Sequence, residues 1–240
     1  RRTHGGSHRQ CGKLSGASDP AQLPELESLT GRAAANGVDD LAFLSEAETL
    51  ALEPALNTAG ALLSPSTGII DSHGYMLALQ GAAENHGAMI AFETPIAAVH
   101  ADKQGPVIET GGTEPMRLQC RTLVNAAGLH APIIADMADG TTRKRHYAQG
   151  NYYTLAARSP FSRLIYPVPE PGGLGVHLTI DLAGEARFGP DVEWLDQTDP
   201  DALPYPVDPT RSEGFYAAIR RYWPDLPDNS LQPGYSGIRP

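Results

Sequence analysis

Between residues 146 and 180 the sequence runs in short β-rich bursts, and no other feature limits its fold as much. Tyr152-Tyr153-Thr154-Leu155, Leu164-Ile165-Tyr166 and Gly175-Val176-His177-Leu178-Thr179-Ile180 are rich in aromatic and β-branched residues. Pro and Gly separate these runs, which points to an antiparallel sheet. The 21 prolines of the 240-residue chain sit mostly in turns, so they mark element ends rather than disorder. A helix follows the sheet: Asp208-Pro209 caps it, Phe215, Ile219 and Tyr222 share one stripe, and Pro224 stops it.

The first part of the chain alternates differently. Residues 8–17 read as one short strand with glycine punctuation. Asp19-Pro20 gives an N-cap with proline at the first helical position, Leu23, Leu26 and Ala33 make a loose apolar stripe, and Gly37 ends the helix. Ser45-Glu46-Ala47-Glu48 is a capping box that opens a second short helix before Pro54. Gly68-Ile69-Ile70-Asp71 turns into a helix with Tyr75, Leu79, Ala82 and His86 on one face and Gly87 past its end. Ala88–Phe92 and Pro95–His100 read as strands. Val107–Thr110 and Met116–Cys120 read as a hairpin around Gly111-Gly112. Leu123-Val124 reads as a brief buried strand ending in Asn125-Ala126-Ala127-Gly128.

Composition removes several function classes. A net charge of -10 opposes binding to nucleic acid, whose phosphates it repels, and opposes a general attraction to anionic membranes. A locally positive pocket for a small anion remains compatible with it. No run reaches the roughly 18 apolar residues of a transmembrane helix. Arg1-Arg2-Thr3-His4 has no apolar stretch behind it and reads as neither signal peptide nor anchor. Two cysteines, Cys11 and Cys120, without a CxxC pair argue against a disulfide framework and fit a reducing compartment, with the cytoplasm as the expected location. The eight histidines show no HExxH or similar spacing, which argues against a metal site.

Four features could carry chemistry, each beside a plainer reading. Leu123–Gly128 ends in small residues that let backbone approach a ligand, but a tight strand-to-helix turn reads the same way. In Gly237-Ile238-Arg239-Pro240 a stiffly held arginine can grip a carboxylate with two parallel hydrogen bonds, or form a surface ion pair. His177, in a β-rich run, can take a hydroxyl proton as neutral imidazole, or be a half-buried sheet histidine with a partner. Tyr152, Tyr153, Tyr166 and Tyr235 can roof a planar ring and bond a carboxylate, or simply pack. His73 and His130 are expected near helix ends without a role. Arg143-Lys144-Arg145 reads as a solvated loop.

Taken in order and spacing, several segments resemble the D-amino-acid oxidase and glycine oxidase superfamily of flavoproteins, and within it the L-2-hydroxyglutarate dehydrogenase/oxidase-like proteins. They are His8-Arg9-Gln10-Cys11-Gly12-Lys13-Leu14, Gly68–Asp71 with Gly74-Tyr75-Met76, Leu123–Gly128, Gln149-Gly150-Asn151-Tyr152-Tyr153, Leu164–Pro169, Leu174–Thr179 and Tyr235–Pro240. The resemblance implies an α/β (α+β) fold: part of a Rossmann-like FAD/NAD(P)-binding domain plus an antiparallel-sheet substrate domain. It divides the chain into a substrate or cap part at 1–66, the middle of the FAD domain at 67–140, the substrate sheet at 141–235, and a return to the FAD domain at 236–240.

The resemblance also implies roles. FAD is the cofactor, touched by the backbone of Ile96, by Ala126, Ala127 and Gly128, and by Gly237. Arg239 holds the substrate carboxylate, with Tyr235, Tyr152 and Tyr166 as further substrate contacts. His177 faces the flavin from the substrate domain and assists deprotonation. The expected reaction is oxidation of a small 2-hydroxy acid like L-2-hydroxyglutarate, with oxygen or a quinone as acceptor. An amine or amino-acid oxidase is the alternative, and a cofactor-free, non-enzymatic remnant is a third. The family's opening GxGxxG turn is absent, since Gly172-Gly173-Leu174-Gly175 lies in a β-rich region with no helix after it. The chain also begins without Met and stops at Arg239-Pro240, short of the family's C-terminal segment, so both ends are expected to be cut rather than native.

Overall fold

A computed structural model describes residues 7–169 and 175–240. Gly172-Gly173-Leu174 and the N-terminal Arg1-Arg2-Thr3-His4 lie outside the described residues. In chain order the elements begin with β1 (His8–Arg9), β2 (Lys13–Ala17), α1 (Leu23–Ala35), β3 (Ala42–Ser45), α2 (Glu46–Leu52), β4 (Gly60–Ser64), β5 (Ile69–Ile70) and α3 (Ser72–Asn85). Then come β6 (Ile96–His100), β7 (Val107–Thr110), β8 (Arg117–Gln119), α4 (Ala131–Asp139), β9 (Tyr147–Leu155), β10 (Leu164–Pro167), β11 (His177–Ile180), β12 (Ala186–Gly189), β13 (Glu193–Leu195), α5 (Ser212–Arg220) and β14 (Leu231–Arg239). They group into two compact units. The first holds Arg1–Gln80, Gly150–Glu193 and Tyr205–Gly237; the second holds Gly81–Gln149, Trp194–Pro204 and Ile238–Pro240.

The first unit is built on a sheet in the order β13-β9-β12-β11-β10-β2-β4-β3, with β14 also pairing β9. The pairings described are antiparallel except β10 with β2, which run parallel. Alternation along each strand separates two faces. Register places Tyr153 opposite Phe188, Phe188 opposite Leu178, Leu178 opposite Ile165, and Ile165 opposite Leu14. All five are fully buried or nearly so. This row meets Phe215 and Ile219 of α5 and Trp223 just beyond it in one core cluster. Tyr153 and Phe215 lie 4.6 Å apart, and Phe161 meets Trp223 edge-on at 5.5 Å. Each such side chain contributes roughly 1.5–3 kcal/mol by leaving water, so this row is the main anchor of the unit.

The turns follow the sequence closely. Asp19 accepts from Ala21 N–H and shares a capping box with Gln22, then a short 3₁₀ turn at Pro20–Gln22 leads into α1. Ser45 and Glu48 form the expected box at α2. α1 lays Leu26 on Ala17, Leu62 and Val168, a second small core. Asp208 caps the 3₁₀ turn Pro209–Arg211 that starts α5.

Three expectations need correction. Residues 8–17 form two strands rather than one, because Gly12 takes φ +75° between them; that left-handed turn suits glycine and ends a pleat. Neither Ala88–Phe92 nor Leu123-Val124 is a strand. Val124 is not buried but 81% exposed, and Met89 is 98% exposed. A strand needs a ladder to satisfy its backbone, and no described segment pairs with either stretch. The second unit instead carries the β6-β7-β8 antiparallel sheet, with the expected hairpin between β7 and β8 and α4 packed on β6.

Candidate active site

The face of the large sheet opposite the core holds the polar half of each strand. Ile165 pairs with Leu178, which sets Tyr166 beside His177. Their rings stack at 4.0 Å with an interplanar angle of 13°. On the other side His177 pairs with Gly189. Gly189 has φ +143°, and a Cβ there would stand 2.6 Å from the Asn151 carbonyl oxygen and 2.7 Å from Tyr152 Cδ1. Only glycine lets the Tyr152 ring lean onto β12 at this point. Tyr152 in turn stacks on Tyr235 of β14 at 4.7 Å and 7°. Four predicted residues, His177, Tyr166, Tyr152 and Tyr235, are thus brought together on one face.

His177 is 5% exposed. Burial pushes its pKa down to about 4; the Gly175 backbone opposes that shift and the Lys13 charge adds to it. The imidazole is therefore neutral at pH 7. Its Nδ1 is buried with no hydrogen-bond partner among the described residues. A buried polar atom without a partner costs about 1–3 kcal/mol, so a ligand atom that bonds to it recovers that cost. Burial also raises the pKa of Tyr166, keeping its phenol protonated as a donor.

Sequence reasoning missed three neighbours. Thr179 and Arg187 face each other in register one row along the same face, and Lys13 shares that side of β2. The Lys13 ammonium lies 5.2 Å from the Tyr166 ring centroid, and the Arg187 guanidinium 5.6 Å from that of Tyr235. Their signal was alternation: Lys13, Ser15 and Ala17 share a side of β2, as Arg187 and Gly189 do in β12. A groove of about 670 Å³ opens at Thr179 and Arg187, lined also by residues 68–73 and 180–183.

The remaining predicted residues are spread over the chain. Gly237 lies in β14, where an added Cβ would meet nothing within 4 Å, and Arg239 ends that strand, exposed. Ile96 opens β6 in the second unit. Ala126, Ala127 and Gly128 are exposed there and lead into the 3₁₀ turn before α4. Asn125 orders this turn, accepting from Ala127 N–H at 3.3 Å and donating to the Ala131 carbonyl at 2.8 Å. His73 is the second residue of α3. His130 is the residue preceding α4, its Nε2 3.0 Å from an Asp201 carboxylate oxygen. Arg143 and Lys144 are exposed in the loop after α4, where Arg143 also pairs with Asp136 and Asp139 of that helix. Those contacts hold the Asp136 and Asp139 carboxyls below their usual range.

Comparison with known proteins adds to this geometry. The chain matches the family described as DAO, FAD dependent oxidoreductase, over residues 2–240. It is 38% identical to the mitochondrial L-2-hydroxyglutarate dehydrogenase of Arabidopsis thaliana, across 97% of this chain and 56% of that protein. It is 27% identical to the L-2-hydroxyglutarate dehydrogenase of Salmonella houtenae, across 95% of this chain and 62% of that protein. The chain thus spans little more than half the length of these relatives. Among solved structures, dithionite-reduced L-alpha-glycerophosphate oxidase from Mycoplasma pneumoniae with FAD bound superposes with a TM-score of 0.84 at 22% identity, covering 98% of this chain and 62% of the other. Glycine oxidase from Geobacillus kaustophilus gives 0.75 at 18% identity, covering 100% and 61%. At such identities the structural likeness establishes the fold.

Proposed function

The chain belongs to the FAD dependent oxidoreductase family, and on that premise we propose that this protein oxidises a small L-2-hydroxy acid of the 2-hydroxyglutarate kind to the 2-oxo acid. The observation that carries this reading is His177: neutral, buried, with no Nδ1 hydrogen-bond partner among the described residues, and set among tyrosines on the sheet face away from the core. The names of the relatives supply the substrate class.

The residues present fit a flavin enzyme. An orphaned buried nitrogen asks for a polar ligand atom, and the tyrosines offer flat aromatic surface. Ile96, Ala126, Ala127, Gly128 and Gly237 are the proposed cofactor contacts. When bound, FAD supplies the two-electron acceptor for the hydride that leaves C2.

The chain's own residues handle the proton and the charge. His177 Nδ1 accepts the hydroxyl proton as the C2–O bond becomes a carbonyl. With its pKa near 4, the imidazole is a weak base before substrate arrives. A carboxylate bound beside it raises that pKa, because a nearby negative charge favours imidazolium. The substrate thereby strengthens the base that acts on it. Tyr166, kept protonated, donates to a substrate oxygen, with Tyr152 and Tyr235 as neighbouring contacts. Arg239 grips a substrate carboxylate, a proposal that stands on its sequence context alone. The terminal electron acceptor is oxygen or a quinone. Both cysteines are free, which fits a reducing compartment, cytoplasmic or mitochondrial. Among the described residues no helix is long and apolar enough to cross a membrane.

Anaerobic mixing of the FAD-loaded protein with L-2-hydroxyglutarate, and separately with glycine and other amino acids, tests the reading. The expected result is bleaching of the flavin absorbance by the hydroxy acid. Bleaching only by amino acids would instead make it an amine or amino-acid oxidase. A protein that takes up no flavin would be a non-enzymatic remnant.

A further inference from the structure

Lys13 is a cation on this face that the proposed chemistry leaves unused. It is half-buried on β2, and no carboxylate of the described residues lies within ion-pair distance of it. Four other cations of the same unit are matched: Arg163 meets Glu53, Arg187 meets Asp181, Arg211 meets Asp191 and Arg220 meets Asp228. An ammonium drawn partly out of water without an anion is costly. The Tyr166 ring beneath it, at 5.2 Å, returns about 1 kcal/mol. A ring face takes up none of the three ammonium N–H donors, so they remain available to an anion.

The spacing defines which charge. The ammonium lies 5.2 Å from the phenol ring, and that ring lies 4.0 Å from the imidazole. In a five-carbon diacid, three C–C bonds of about 1.5 Å separate the C2 carbon from the far carboxylate carbon. Hydrogen bonds of about 3 Å at either end let such a molecule reach from His177 to Lys13 across the edge of Tyr166. A monoacid of equal length would leave an alkyl end against the ammonium.

We propose that Lys13 binds the second carboxylate of the substrate and so makes the site selective for 2-hydroxy diacids over 2-hydroxy monoacids. The proposal rests on the oxidation reading above and deepens it. The order of groups along the face is then ammonium, phenol, imidazole, and the substrate lies over their edges with its reacting carbon at His177.

The test compares L-2-hydroxyglutarate with L-2-hydroxypentanoate in the FAD-loaded wild type, Lys13→Met and Lys13→Arg. The expected result is a diacid-to-monoacid ratio of kcat/KM that falls at least tenfold in Lys13→Met, through KM more than kcat, and is largely restored in Lys13→Arg. An equal loss for both substrates would make Lys13 a structural residue, and an unchanged ratio would remove it from the site; either overturns the proposal. Calorimetric titration with glutarate and with butyrate gives a readout independent of turnover. Lys13-dependent glutarate binding without oxidation of any 2-hydroxy acid would sink the oxidation reading and keep the anion site. Turnover of the diacid with glutarate binding indifferent to Lys13 would do the reverse.

Discussion

His177 concentrates the argument at the scale of single residues. Its folded pKa, about 4, lies below the ordinary value of 6.5 that the unfolded chain keeps. The unfolded chain therefore takes up the proton first as pH falls. Stability is at its full value above pH 6.5 and is lost progressively toward pH 4, by about 3 kcal/mol from this group. Denaturant melts of wild type and His177→Gln across that window should show the slope in wild type and a flatter profile in the variant; parallel profiles would mean the imidazole is solvated. Tyr222 makes a second case. Its hydroxyl is buried with no hydrogen-bond partner among the described residues, and burial pushes its pKa up. Tyr222→Phe removes that unsatisfied group, so it should be neutral or stabilise by about 1 kcal/mol in thermal unfolding. A clear loss of stability would reveal a partner for the hydroxyl. The tyrosines and His177 were legible in the sequence because aromatic residues in β-rich runs announce themselves. Lys13 and Arg187 were not, because a charge in a short strand reads as solvent-facing until the register shows what stands beside it.

At the scale of elements, caps and turns carried the clearest sequence signal. Asp19, Ser45 and Asp208 act where their side chains predict, since capping is local chemistry that needs no tertiary partner. Strands that depend on distant partners were less legible. Ala42–Ser45 pairs with β4 although its sequence looks unremarkable, while the more apolar Met89–Phe92 stays outside any sheet. Long-range ties were invisible for the same reason. Glu53, just past α2, is 2% exposed. It accepts from the Ser162 hydroxyl at 2.6 Å and from Arg163 at 3.0 Å, fixing the approach to β10 and so to Tyr166. Truncation leaves the Ser162 N–H without its acceptor and Arg163 without its carboxylate partner. Glu53→Ala should therefore cost about 3 kcal/mol of unfolding free energy. A cost below about 1 kcal/mol would show that this tie is solvated and dispensable.

For the whole molecule, the family shows itself through order and spacing of segments, which is why a match runs over residues 2–240 although no single motif is decisive. The antiparallel sheet was legible because its strands announce themselves one by one. The parallel partner of β2, contributed by β10 from far along the chain, was not, because nothing local in either strand names the other. The central proposal is that the face carrying His177 is where a 2-hydroxy acid binds. A crystal structure of the FAD-loaded protein with 2-oxoglutarate tests it most directly. The account predicts the 2-oxo oxygen within about 3 Å of His177 Nδ1 and the far carboxylate at Lys13. Ligand bound away from β10 and β11, with Nδ1 still unpartnered, would contradict it.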